Sequence, residues 1–190
     1  MKNLFTFLLQ VLHIKSAISQ TTESERACLS RYASGKIKLV EVGVFQGVTT
    51  RVLRQAMDPS ATLFGIDPFF KNRLGVCLYR IIAVREVESV ANGEVKWLEM
   101  TSAQALQTKQ LKGSTNFDFV FIDGDHSWEG IKGDWDGFSV LISSGGIIAL
   151  HDSRNRGGCG SERFTNEVIL QDPRFHVVET EHSLTVLERL

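Results

Sequence analysis

Five times along the chain, a short run of aliphatic and β-branched residues gives way to a stretch whose apolar positions recur at helical spacing. The runs are Ile37 to Val42, Thr62 to Ile66, Val95 to Glu99, Phe117 to Ile122 and Ile147 to Leu150. Their apolar character on both faces predicts strands of a parallel sheet covered by helices on either side. The predicted crossover helices are Thr49 to Met57, Asn72 to Val90, Ser102 to Leu111, Trp128 to Leu141 and Glu162 to Leu170. The second of these carries an apolar stripe of Leu74, Leu78, Ile81, Ile82 and Val87. Ahead of the first strand, Ser16 to Ala33 reads as a helix, with Thr22 and Glu25 spaced as a capping box. Ser34-Gly35, Asp58-Pro59-Ser60, Asn92-Gly93 and Ser144-Gly145-Gly146 punctuate the pattern as turns. Two final strands, Phe175 to Glu179 and Ser183 to Glu188, lie close enough to form a hairpin that adds an antiparallel strand. The whole reads as one α/β domain over residues 1–190, a doubly wound sheet with residues 1–33 as a helical cover segment.

Composition narrows the picture. The chain has 190 residues, 43% of them hydrophobic, enough for one well-formed core. A formal net charge of −1 gives no electrostatic reason to expect nucleic acid or a membrane surface as a partner. Cys28, Cys77 and Cys159 are far apart and match neither a zinc spacing nor a disulfide framework, so they read as reduced thiols of a cytoplasmic protein. The apolar start, Met1 to Lys15, weakly resembles a signal peptide. Gln10 and His13 interrupt it and no small-x-small site follows, so an amphipathic helix or strand covering the domain is the expectation.

In open α/β sheets the ligand lies beyond the carboxyl ends of the strands. Five strand ends here deliver polar or glycine-rich groups to that edge: Glu41 to Gly47, Asp67, Ser102, Asp123 to His126, and His151-Asp152. Gly43 and Gly47 let the backbone approach a ligand, and the helix that follows offers free N–H groups to an anion. Glu41 suits a cationic amine. Asp67, about twenty residues past the glycines, is placed to accept ribose hydroxyls, although a turn or helix-capping aspartate is the plainer reading of any one such residue. Ser102 reads equally as an adenine contact and as a helix N-cap. A ligand with an amine, a carboxylate and a nucleoside would use all of these, and S-adenosylmethionine is one. Asp123 and Asp152, at the ends of neighbouring strands, suit a divalent cation, with His151 either a third ligand or a partner that orients them; loop caps are the plainer reading of the two aspartates. His126 is the expected general base, with Asp125 as the alternative base or its orienting group. Trp128 and Trp135 read as core residues.

Taken together, the runs Val40 to Thr50, Gly65 to Phe69, Phe121 to Gly130 and Gly145 to Asp152 resemble class I S-adenosylmethionine-dependent methyltransferases, in particular the small branch related to macrocin O-methyltransferase and cephalosporin-hydroxylase-like proteins. The resemblance covers about residues 16–190. It implies a Rossmann-like sheet of seven strands with the last antiparallel. It also implies a cofactor site of Glu41, Gly43, Phe45, Gly47, Thr49, Asp67, Ser102 and Asp123, with Thr49 near the methionine carboxylate. In metal-dependent relatives the positions of Asp123 and of the His151-Asp152 pair bind magnesium; a histidine there would favour a softer ion. The position of His126 matches that of the base in catechol O-methyltransferase. The expected activity is O-methyl transfer to a small hydroxylated metabolite or sugar, and a homo-oligomer is compatible with it. A nicotinamide-dependent oxidoreductase is disfavoured, because Gly43-x-x-x-Gly47 lacks the three-glycine spacing and Tyr79 has no lysine four residues on. A P-loop is excluded, since no Lys-Ser/Thr follows the glycines. A non-catalytic cofactor-binding module on the same fold is the remaining alternative.

Overall fold

A computed structural model describes residues 6–7, 9–10 and 15–190 of the chain. The expected cover segment Met1 to Lys15 therefore lies mainly outside the described residues. Within it Gln10 is buried, and its Nε2 donates to the Gln46 side chain at 3.2 Å.

From Glu23 onward the α-helices are α1 (Glu23–Ala33), α2 (Val48–Ala56), α3 (Leu78–Glu88), the single turn α4 (Ser102–Ala105), α5 (Trp128–Phe138) and α6 (Gly160–Glu167). The strands are β1 (Lys38–Val42), β2 (Thr62–Ile66), β3 (Glu94–Leu98), β4 (Phe117–Ile122), β5 (Ile142–Leu150), β6 (Phe175–Glu181) and β7 (Leu184–Arg189). They form one seven-stranded sheet in the order β3-β2-β1-β4-β5-β7-β6. The first five strands are mutually parallel, and β7 runs antiparallel to both β5 and β6. The sheet is the one expected, with β7 inserted between β5 and β6.

Alternation along each strand divides the core into two layers. Val40, Val42, Val120 and Ile122 pack beneath Ile131, Trp135 and Phe138 of α5. Leu39, Leu63, Phe119 and Phe121 face Cys28 and Leu29 of α1 and Leu53 of α2. Trp135 is core as expected, and Trp128 is half-buried with its ring edge-on to Phe164 at 5.0 Å.

Four elements differ most from the expectation, one of them the helix read from Ser102 to Leu111, which is only the single turn Ser102–Ala105. The helix read from Ser16 starts only at Glu23, where Thr22 and Glu25 form the predicted capping box. The helix read from Asn72 to Val90 loses its first six residues to a loop. Asn72 Oδ1 accepts from the Leu74 and Val76 amides, Gly75 takes a left-handed φ of 76°, and Leu74 is exposed rather than part of a buried stripe. Finally, Ser144-Gly145-Gly146 does not end the strand ahead of Ile147. The segment stays within β5 as an irregularity in its pairing with Phe117 and Phe119 of β4.

Strand order reverses between β1 and β4. A crevice opens at such a switch point beyond the carboxyl ends of the strands, and the predicted residues converge there.

Candidate active site

The turn after β1 is shaped by three residues in left-handed conformations: Gly43, Phe45 and Gly47, at φ 89°, 53° and 78°. Gly43 is there for space as well as torsion. A Cβ on it would stand 2.0 Å from the Asp123 carbonyl oxygen, so the β1 turn and the β4 turn touch through bare backbone. Gly47 is the N-cap of α2 and makes no side-chain cap, and the first turn of α2 contains no acid. That helix start is thus open to an anionic group.

Asp67 closes the turn from the side of β2. Its Oδ2 accepts the amides of Val44 and Phe45, each at 3.0 Å, and its Oδ1 accepts that of Phe69 at 2.8 Å. The carboxylate expected to hold ribose is therefore first a brace for the glycine turn. Phe45 tilts against Tyr79, with ring centroids 4.9 Å apart. The Thr49 hydroxyl lies 3.2 Å from that of Thr21. Beyond the turn lies a cavity of about 810 Å³, whose walls include Gly43, Phe45, Asp67, Ser102, Asp123 and Asp134.

Of the predicted cofactor residues, Glu41 is not placed as expected, while Ser102 lines the cavity but is not the helix cap that was its other reading. Glu41 does not line this cavity. It is fully buried on the α2 side of the sheet with neither carboxyl oxygen hydrogen-bonded, and burial pushes its carboxyl well above the usual range. Enclosed there and away from the cavity, Glu41 does not present the anion expected for a cationic amine. Ser102 is not the N-cap of its helix. Thr101 takes that place in a capping box with Gln104, and this frees the Ser102 hydroxyl to interact with Asp134.

Asp134 was not anticipated. It lies on the buried stripe of α5 beside Ile131, Trp135 and Phe138, and it lines the cavity. Burial raises its carboxyl to about 6, with Ser102 acting against the rise. An aspartate at a core position of an amphipathic helix was the readable signal.

The second half of the site is a knot of charges where β4 and β5 end. Asp123 Oδ1 is 2.7 Å from His151 Nδ1. His126 Nε2 stands 3.7 Å from Asp123 Oδ1 and 3.7 Å from Asp152 Oδ2. Arg156 Nε faces the other Asp152 oxygen at 2.9 Å. Asp125 is exposed, and its Oδ1 accepts the Ser127 amide at 2.9 Å just ahead of α5. Burial lifts the Asp123 carboxyl, while His151 and His126 pull it back.

The expected cation ligands were Asp123, His151 and Asp152. The set whose donor atoms converge within 4.8 Å of one another is instead Asp123, His126 and His151. Within it both ring nitrogens of His151 are turned toward carboxylates. Its Nδ1 faces Asp123, its Nε2 faces Glu25 Oε2 at 3.6 Å, and ionised carboxylates only accept. Asp152 is turned toward Arg156 and His126. As placed, these residues do not fit a divalent ion.

A protein-family model described as a methyltransferase domain matches residues 40–153, more than half of the chain and the span from β1 to just past β5. The chain belongs to this methyltransferase family. None of the curated proteins matches the sequence. Among solved structures, the methyltransferase resembles a protein of Corynebacterium glutamicum, with TM-score 0.71 and 17% identity over 98% of this chain and 97% of that one. It also resembles an O-methyltransferase of Bacillus cereus solved with S-adenosylhomocysteine, with TM-score 0.61 and 16% identity over 100% and 91%. A TDP-rhamnose 3'-O-methyltransferase of calicheamicin biosynthesis has TM-score 0.61 and 17% identity over 86% and 77%. The enzyme class read from the motifs is thereby established, and the oxidoreductase reading falls. Among the described residues no helix is long and apolar enough to cross a membrane.

Proposed function

We propose that this methyltransferase uses S-adenosylmethionine to methylate a hydroxyl of a small molecule, a metabolite or sugar, with His126 as the base and without a divalent cation. The observation that carries the reading is the contiguity of the two halves of the site. Asp123 lines the cofactor-sized cavity and also stands beside His126, whose Nε2 is framed by two carboxylates.

The cavity fits the cofactor on its own features. The uncapped start of α2 suits the methionine carboxylate, and the backbone of Gly43 lines the cavity beside Asp123. Met100, Ala103 and Leu106 offer an apolar wall to the adenine, with Ser102 and Asp134 beside it. When bound, S-adenosylmethionine supplies a methyl group on a cationic sulfur.

The chain's own work is alignment and proton removal. An alkyl hydroxyl is too weak an acid to ionise beforehand, so its proton must leave as the carbon–oxygen bond forms. His126 Nε2 takes that proton, and Asp123 and Asp152 stabilise the imidazolium that results. Asp125 is a poorer base, since its carboxylate is exposed and already engaged at the start of α5. We place the enzyme within the branch related to macrocin O-methyltransferase. The free cysteines and the modest charge support a cytoplasmic enzyme acting on small molecules rather than on nucleic acid or membranes.

Binding and turnover test this in sequence. S-adenosylmethionine and S-adenosylhomocysteine should raise the melting temperature while NAD and NADP do not, because a ligand of the native state stabilises it by mass action. On a panel of hydroxylated acceptors, His126→Gln should slow methyl transfer by roughly 10²–10⁴-fold, the range for a general base, with calorimetric S-adenosylhomocysteine affinity unchanged. Cofactor binding with no transfer to any acceptor would favour the non-catalytic module. Near-normal turnover in His126→Gln would remove it as the base.

A further inference from the structure

Of the charged groups below the site, Glu25 has no part in the chemistry above. It lies on α1, ahead of the residues matched by the family, yet it is fully enclosed. Oε2 accepts the Thr22 amide at 2.7 Å, and Oε1 accepts the Ser183 amide at 2.9 Å and the Ser183 hydroxyl at 2.6 Å. Oε2 also stands 3.6 Å from His151 Nε2. The ring is 4% exposed, and Phe121 stands edge-on to it with centroids 6.4 Å apart.

The groups facing this imidazole can be named from each element around it. Glu25 comes from α1, Asp123 from the end of β4, and Asp152 from the end of β5 with Oδ1 3.6 Å from Nδ1. His126 from the β4–α5 turn has its ring centroid 6.2 Å away, Arg156 is paired to Asp152, and His182 from the β6–β7 turn faces Glu25 rather than the ring.

We infer that Glu25 is a positioning residue of this active site: with Asp123 it clamps His151 between two carboxylates, and the clamped ring holds Asp123 beside His126 as a bound cation would. The argument is one of hydrogen-bonding capacity. Ionised carboxylates accept and cannot donate, so a ring hydrogen-bonded to Asp123 at 2.7 Å and facing the Glu25 charge at 3.6 Å is best accommodated when both nitrogens carry hydrogen. The charge of such a ring offsets part of the burial cost of Glu25 and Asp123, neither of which has a lysine or arginine partner among the described residues. Burial by itself would drive the imidazole toward its neutral form, but Asp123 and Glu25 outweigh it and raise the ring to about 10. The donors around Glu25 hold its carboxyl well below the usual range, in spite of burial. The inference rests on the methyl-transfer reading only for what His126 does next, and its test needs no acceptor.

Nitrogen-15 NMR of the histidine-labelled protein at pH 8 reads the ring directly. In the wild-type protein His151 should show both nitrogens protonated, and added Zn²⁺ or Mn²⁺ should leave that signature in place. In Glu25→Gln, its titration should move down by roughly 1–3 pH units, the span for losing an adjacent opposite charge. A merely structural role for Glu25 would leave that titration where it is. If Glu25→Gln does not fold, the wild-type spectrum still decides. A His151 that is neutral at pH 8, or that surrenders a ring proton to the added metal, overturns the inference. So does an unmoved titration in a folded Glu25→Gln protein. A failure of cofactor binding or methyl transfer would overturn the function above and leave these spectra standing.

Discussion

Replacing Gly43 by alanine isolates the contact that joins the two halves of the site. Gly43 has φ 89°, and a left-handed conformation costs an L-residue about 1–2 kcal/mol. Its new Cβ would lie 2.0 Å from the Asp123 carbonyl oxygen, where ordinary contact begins at 3.4 Å, so the β4 turn must retreat by the difference of 1.4 Å. Forcing such a shift in a packed interior costs about 1–3 kcal/mol. The shift also opposes the hydrogen bond from the Asp123 amide to the Val42 carbonyl, 2.8 Å long, whose loss costs about 1–3 kcal/mol more. The expected total is roughly 3–8 kcal/mol. Gly145→Ala is the internal control. It too has a left-handed φ, 76°, but nothing lies within 4 Å of its added methyl, so only the torsional cost of about 1–2 kcal/mol applies. Urea unfolding of both variants, compared at equal m-value, reads the difference, which should be at least about 2 kcal/mol. Equal losses would refute the claim that backbone contact with Asp123, and not torsion alone, requires glycine at position 43.

Two further outcomes follow from the same geometry. Asp67→Asn keeps the size of the side chain but leaves one of three amide donors facing an NH₂ group, so both S-adenosylhomocysteine affinity and stability should fall by roughly 1–3 kcal/mol; calorimetry showing affinity intact would separate the brace from any ribose role. His151 carries a pKa raised to about 10 from 6.5, so its contribution to stability is complete below about pH 6.5 and is lost as pH rises through 10. Unfolding free energies taken from about pH 7 to pH 10 should therefore fall, more steeply than in His151→Gln, and identical slopes would count against a charged buried ring.

Strand positions were the most legible part of the chain, because a run apolar on both faces has few alternatives to a buried strand. Thr62–Ile66 and Phe117–Ile122 were read to their last residue. The convergence of Asp67, Asp123, His126, His151 and Asp152 followed from strand ends alone. What side chains do to local backbone was not legible. Asn72 satisfies two amides that a helix would have used, and this turns an apparent stripe from Leu74 into an exposed loop. Ser102 gave up the cap to its neighbour Thr101 because Gln104, three residues on, completes a capping box from that position.

Two acids show where sequence reading stops. Asp134 occupies a core position of α5, between Ile131 and Trp135, and a charge at such a position needs a reason. That reason, a place in the cavity wall, was within reach of periodicity. Glu25 was correctly read as half of a capping box with Thr22, and that reading concealed the rest. A capping glutamate normally sits at the surface with one oxygen used. Here the β6–β7 turn brings Ser183 onto the other oxygen, 158 positions away in sequence, and removes the residue from water. Only once that turn is in place does the carboxylate become a fixed charge beneath His151. The pairing of β7 with β5 thus does more than close the sheet: it carries the element that converts a local helix cap into part of the active site's support.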